Sequence, residues 1–237
     1  GLDVSYPVMR LIYEQFWQEP RFRPSPLPPI RVAAGLLGRK TGEGFYAYEG
    51  QKIQRPPEPP VPQVAALPPV QVAGEGGAAL AEALDVEWIS PRTTPRSDAL
   101  LLVAPMGEDA TTTALRHGLD ATHTVAVDML YGIAGRRTAM TTPVTDPAMR
   151  DAAHAFLARD ANPVTMIHDS PGFIAQRVVA TIVNIACEIA QQRIATPGDI
   201  DLAVTLGLGY PSGPLALGDR LGPGRLGVDH PVATEIP

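Results

Sequence analysis

A chain of 237 residues with 45% apolar content has room for one large domain or two small ones, and it buries a core rather than staying disordered. Its net charge of −6 works against general attraction to nucleic acid phosphates or to anionic membranes, and no stretch reaches the roughly 18 uninterrupted apolar residues of a membrane span. The single cysteine, Cys187, rules out an internal disulfide, and the spacing of Cys and His offers no metal set, so a reducing, cytoplasmic setting is expected.

Along the chain, Val8, Met9, Leu11, Ile12 and Phe16 fall at helical spacing and predict an amphipathic helix over Val8 to Gln18, ended by Pro20. Arg31 to Leu37 is a shorter helical candidate, followed by a glycine-rich turn that leads into Phe45-Tyr46-Ala47-Tyr48. From Gln54 to Pro69 prolines are too frequent for a helix or a central strand, which predicts an extended connector and a domain boundary.

Beyond the connector, short apolar runs alternate with helical segments. Strands are expected at Val70–Ala73, Val86–Ile89, Ala99–Val103, Thr124–Val127 and Val164–Ile167, and helices at Ala78–Leu84, Thr111–Gly118 and Pro147–Arg159. Such alternation predicts a parallel sheet with helical crossovers. Ser170 before Pro171 reads as a helix cap, since a side-chain acceptor precedes a residue that needs no amide partner. Thr196-Pro197-Gly198-Asp199 repeats that logic, and the Gly/Pro cluster from Gly207 to Pro214 closes the second helix. Ile174, Val178, Ile182, Ile185 and Ile189 form the expected core stripe of the first of these helices, with Gln176, Asn184 and Glu188 as its polar stripe, either solvated or packed on the sheet.

His168-Asp169-Ser170-Pro171-Gly172-Phe173-Ile174-Ala175-Gln176-Arg177, with the later Thr196-Pro197-Gly198-Asp199 and Gly209-Tyr210-Pro211-Ser212-Gly213-Pro214, resembles the start of the helical C-terminal domain of the 3-hydroxyacyl-CoA dehydrogenases. Gly1-Leu2-Asp3-Val4 and Gly42-Glu43-Gly44-Phe45-Tyr46 resemble the closing half of the same module. Because the closing half stands first, Gly1 and Gly222 occupy similar places in the module, and the chain reads as a window of a longer tandem protein. The fold class implied is α/β plus all-α: a shortened Rossmann-like parallel sheet unit with helical dehydrogenase C-terminal-type segments at both ends. Its divisions are 1–48 (half of a helical domain), 49–69 (Pro-rich linker), 70–168 (degenerate Rossmann-like domain), 169–222 (helical segment) and 223–237 (irregular tail).

In that family a His at the end of a strand takes the hydroxyl proton and a Glu tunes it. The resemblance places Asp128 at the base and Met140 near its partner, and neither does that work, since aspartate is a weak base and methionine carries no charge. It also places Gln176 where the family carries a substrate-fixing Asn. His117, His123 and His154 are read as structural. Gly74, Gly76 and Ala79 fit a G-x-G-x-x-G/A turn, either as a plain βα turn or as a weak NAD cradle, with Ser90-Pro91-Arg92 where a ribose-binding acid is expected. Arg39 and Lys40 either meet coenzyme A phosphates or face water. Cys187 is expected to be a small core residue.

The parent protein is thus expected to be an NAD-dependent 3-hydroxyacyl-CoA dehydrogenase of fatty-acid or aromatic-acid breakdown, and this region to be inactive by itself. Its partners would be an acyl-CoA substrate and a second helical half, in a homodimer or an intrachain pseudo-dimer. The alternative class is a non-catalytic interaction or coenzyme A binding module.

Overall fold

In the computed structural model, residues 1–90 and 93–222 are described. The chain divides into two units, Gly1–Pro59 and Pro60–Pro237. The expected irregular tail at 223–237 lies outside the described residues.

In the first unit, helix α1 spans Leu2–Gln15, beginning well before the expected Val8 and ending before Gln18. The expected start rests on the apolar spacing from Val8, whereas the helix already runs through residues 2–6 and carries Pro7 inside it. The end comes early because Trp17 and Gln18 both take positive φ, 56° and 61°, before Pro20 is reached. No residue of α1 is buried. Helix α2, Leu27–Ala33, replaces the expected Arg31–Leu37, with its prolines in the first turn where a missing amide costs nothing. Gly44 passes so near Gly38 that a Cβ would lie 2.8 Å from the Gly38 Cα, so this turn requires glycine. Strands β1 (Ala47–Glu49) and β2 (Lys52–Gln54) pair antiparallel around Gly50, so residues 49–54 form part of a hairpin and not of an irregular linker.

The second unit opens with β3 (Val70–Val72), α3 (Gly77–Leu84), β4 (Glu87–Trp88), β5 (Leu100–Val103), α4 (Ala110–Arg116) and β6 (Thr124–Val127). It continues with β7 (Arg137–Thr141), α5 (Pro147–Leu157) and β8 (Val164–Ile167). The sheet order is β4-β3-β5-β6-β7-β8, parallel from β4 to β6, then reversed at β7, which pairs antiparallel with β6 and parallel with β8. The expected parallel, Rossmann-like sheet is present, with β7 running antiparallel to its neighbour β6. Strand β7 escaped the sequence reading because Arg136 precedes it, Arg137 opens it and the apolar run is short.

Each face of the sheet has its own core. Leu80, Leu84, Phe156 and Leu157 from α3 and α5 pack with Val72, Leu100 and Val125 on one face. Ala110 of α4 and Phe173 pack with Val103, Ala126 and Met140 on the other. The unit is a three-layer α/β/α arrangement.

Helices α6 (Ile174–Gln191), α7 (Pro197–Leu208) and α8 (Pro214–Leu221) follow and pack on one another. Helix α7 begins as expected, the Thr196 hydroxyl accepting the Asp199 amide. Helix α6 does not begin at Ser170 or Pro171. Gly172 takes φ +64° and gives its amide to the Glu108 carbonyl, so regular helix starts only after Phe173. The buried face of α6 is Gln176, Val179, Val183 and Ala186; of the expected core stripe, Ile174, Val178 and Ile185 are 56%, 53% and 39% exposed. Cys187, expected in the core, is exposed. Asp201 caps α8 by accepting the amides of Leu215 and Ala216 at 2.8 and 3.0 Å. A Cβ on Gly213 would collide with that carboxylate at 2.2 Å, which fixes glycine there.

Arg137 anchors the β7 side of the sheet. It is 4% exposed, donates to the Ile133 carbonyl at 2.9 Å and to the Leu157 carbonyl, and pairs with Asp160, itself 48% exposed. Removing the arginine strands two buried carbonyls, whereas removing the aspartate leaves a guanidinium still bonded. Arg137→Ala should cost about 2–4 kcal/mol in urea unfolding and Asp160→Asn less than about 1 kcal/mol; equal costs would contradict this assignment.

Burial holds the imidazole of His154 below its ordinary pKa, with Asp151 opposing and Arg150 reinforcing the shift. The unfolded chain then takes up a proton near pH ~6.5 while the folded chain keeps the ring neutral, so this contribution is present above that pH and is lost as the pH falls through it. The urea midpoint should decline more steeply between pH 7 and 5 in the native chain than in His154→Leu, and parallel declines would contradict it.

Candidate functional site at the carboxyl ends of the strands

Asp128 immediately follows β6, Met140 lies within β7, and Gln176 occupies the first turn of α6. The fold brings Asp128 and Gln176 together. Gln176, 7% exposed, donates its amide to Asp128 Oδ1 at 2.9 Å and to the Pro105 carbonyl at 3.3 Å, and its own oxygen accepts the Gly107 amide at 2.8 Å. Asp128 Oδ1 also accepts the Leu130 amide at 3.0 Å. Both amide hydrogens of Gln176 and its carbonyl are thus engaged, and the side chain ties α6 to the loop after β5 and to the end of β6.

Asp169 makes a second tie. Its Oδ1 accepts the Ala110 amide at 2.8 Å and its Oδ2 accepts the Thr111 hydroxyl, capping α4 from outside while Asp109 caps it from within by accepting the Thr112 amide. Met140 is fully buried beside Phe173, and its sulfur receives the Ser170 amide at 3.4 Å. It is a packing residue, with nothing to orient a base. Ser170, expected as a helix cap, accepts instead from Arg177.

At the start of the sheet, Gly74 and Gly76 take φ +83° and +78°, the backbone turn that exposes amides at a helix start. Close approach of helix and strand falls on Gly77, where a Cβ would lie 2.9 Å from Val72 Cγ1; Ala79 is exposed. Ser90 stands beyond β4, hydrogen-bonded to Thr93 at 3.0 Å, with no acid to hold ribose hydroxyls. The His117 ring lies 3.2 Å from where a Cβ on Gly74 would sit, and its Nε2 is buried without a hydrogen-bond partner among the described residues. The glycine turn at the start of α3 is thus kept, and among the described residues no carboxylate hydrogen-bonds Ser90 or Thr93.

His123 meets the Ala99 carbonyl through Nδ1 at 3.2 Å, a contact that pins the strand edge. In the first unit, Lys40 pairs with Asp3 at 2.5 Å and holds that carboxyl below its ordinary pKa, and Arg39 reaches Gln51 at 3.5 Å. Sequence reading missed Gly107, Pro105 and Asp169 as partners. Only the helix-capping preference of an aspartate gave a signal, and that lay far along the chain from the helix it caps.

A Rossmann-like sheet whose last strand feeds a helical bundle through an Asp-x-Pro-Gly-Phe turn is the architecture of a hydroxyacyl dehydrogenase. The 3-hydroxyacyl-CoA dehydrogenase C-terminal domain matches residues 1–48 and 172–228. A 3-hydroxyadipyl-CoA dehydrogenase of Escherichia coli K12 is 33% identical over 223 residues, 94% of this chain and 42% of that protein. A probable 3-hydroxybutyryl-CoA dehydrogenase of Deinococcus radiodurans is 48% identical over 48 residues, 20% of this chain and 17% of the relative. The crystal structure of 3-hydroxybutyryl-CoA dehydrogenase from Escherichia coli K12 superposes with a TM-score of 0.68 at 30% identity, covering 95% of this chain and 43% of that one. The chain belongs to the 3-hydroxyacyl-CoA dehydrogenase family. It spans about two fifths of the Escherichia coli relative's length.

If the Gln176 ties hold α6 on the sheet, Gln176→Ala should lower stability by about 2–3 kcal/mol, since it unpairs a buried amide and a carboxylate together. Asp128→Asn keeps an acceptor oxygen and should cost less than about 1 kcal/mol. Urea unfolding of the two variants checks this, and a neutral Gln176→Ala would contradict it.

Proposed function

We propose that the chain is the non-catalytic part of an NAD-dependent, cytoplasmic enzyme that oxidises 3-hydroxyacyl-CoA to 3-oxoacyl-CoA in fatty-acid or aromatic-acid degradation. In this reading residues 1–48 end one helical domain and run into the hairpin that closes at Gln54, 55–69 link, 70–168 form a degenerate copy of the nucleotide-binding domain, and 169–222 begin a second helical domain. NAD and the acyl-CoA would be held chiefly by a domain outside this chain. Arg39 and Lys40 remain the candidates for coenzyme A phosphates, and Gly74, Gly76 and Ala79 for a residual nucleotide cradle.

The observation that carries the reading is the Asp128–Gln176 hydrogen bond. At the place where the family keeps its base and its substrate amide, this chain has two groups that satisfy each other. Asp128 takes both of its hydrogen bonds on Oδ1 and holds Gln176 in place, and a carboxylate is in general too weak a base to take a hydroxyl proton.

A second reading, an interaction module, is favoured by the apolar side of α6 and α7. Ile174, Val178, Leu202 and Leu206 stand exposed in a family-type helical segment. Covering such side chains is worth roughly 1.5–3 kcal/mol each, which supports self-association into a homodimer.

An assay of NADH formation from 3-hydroxybutyryl-CoA at neutral pH should stay at background with this chain alone. Turnover within a hundredfold of the usual rate of about 10 per second would refute the non-catalytic assignment. Titration with NADH should give no low-micromolar dissociation constant, because lost charge-assisted bonds cost roughly 10- to 150-fold in affinity. Tight NADH binding would instead make the region a second cofactor site.

A further inference from the structure

Beside the Gln176 ties a cavity of about 200 Å³ opens among the loop after β5, the loop after β6, the turn before α6 and the end of α8. Met106, Leu130, Val179, Ala180 and Leu221 make it apolar. Arg177 also lines it. Its Nε donates to the Pro171 carbonyl at 2.8 Å and one Nη donates to the Ser170 hydroxyl. These bonds fix the guanidinium at the rim, since Pro171 is itself part of the wall. Both acceptors are neutral, and among the described residues no carboxylate pairs with Arg177. The nearby acid, Asp128, accepts from Gln176 and Leu130 through Oδ1, and it does not line the cavity.

A held cation without a counter-ion, next to an apolar hollow, suits a molecule with one anionic end and a hydrocarbon body. A guanidinium with two of its groups already committed keeps one edge for an oxyanion, which favours a monoanionic carboxylate over a larger polyanion. The volume lies below the roughly 300–1,000 Å³ of sites for drug-sized ligands, so the chain must be short. We infer that this cavity is a binding site for a short aliphatic carboxylate, with its chain against Leu130, Val179 and Ala180 and its head on Arg177. The inference concerns this chain alone and does not depend on how the whole protein is assigned.

The test is calorimetric titration of the full chain with hexanoate and with 1-hexanol, a neutral probe of the same chain length. Hexanoate should bind saturably and about tenfold more tightly than hexanol, the difference one charge-assisted bond at an exposed rim provides. Arg177→Gln should erase that difference and leave hexanol binding unchanged, and Ala180→Phe, which fills the hollow, should abolish both. Equal affinity for the two probes, a preference for hexanoate that survives Arg177→Gln, or no saturable binding at millimolar hexanoate would each overturn the site. Should Arg177→Gln fail to fold, the hexanoate–hexanol comparison and Ala180→Phe still decide the matter.

Discussion

A buried side-chain amide with both hydrogens and its oxygen engaged is the constraint on which the second unit depends. Gln176 sits at the start of α6, and its partners belong to the end of β6 and the loop after β5. A neutral group in that position can be fully satisfied by backbone and one carboxylate, and a satisfied polar network rigidifies what it joins. An active dehydrogenase needs the opposite, polar groups left unpaired until substrate arrives. The Asp128–Gln176 pair is a fixed joint, and Asp169 strengthens it by capping α4 from the far side of the turn.

The same joint decides which side of α6 is inside. With Gln176 turned to the sheet, Val179, Val183 and Ala186 follow it inward, and the isoleucine-rich side faces out. The hydrophobic periodicity of α6 is real, but its strongest stripe serves a surface. In the first unit α1 shows the same thing more completely, since none of its residues is buried although it carries Val8, Met9, Ile12 and Phe16.

Much of the order of elements was legible because it rests on local chemistry. Thr196 before Pro197 announces its helix with a hydroxyl and a missing amide, and the structure obeys. Leu100 to Val103 reads as a buried strand because four apolar residues in a row fit nothing else on a sheet. Failures came where a long-range partner overrode a local preference. Ser170 and Pro171 look like a helix start, but the Glu108 carbonyl claims the Gly172 amide and holds the turn open. Strand β7 opens on Arg137, directly after Arg136, which hides it, and Arg137 is buried because the nearby Ile133 carbonyl and, farther along the chain, the Leu157 carbonyl and Asp160 receive it. The hydrogen bonds that bury Gln176 were not legible, because Gly107 and Pro105 offer only backbone and backbone carries no sequence signature.

Amide hydrogen exchange at Gly107 tests the joint most directly, because that N–H is held by the Gln176 oxygen at 2.8 Å in a loop that would otherwise exchange freely. The account expects Gly107 to exchange as slowly as the core amides of β5, and to lose that protection selectively in Gln176→Ala. Exchange of Gly107 at the rate of the exposed turns in the unmodified chain would show that Gln176 does not hold α6 to the sheet.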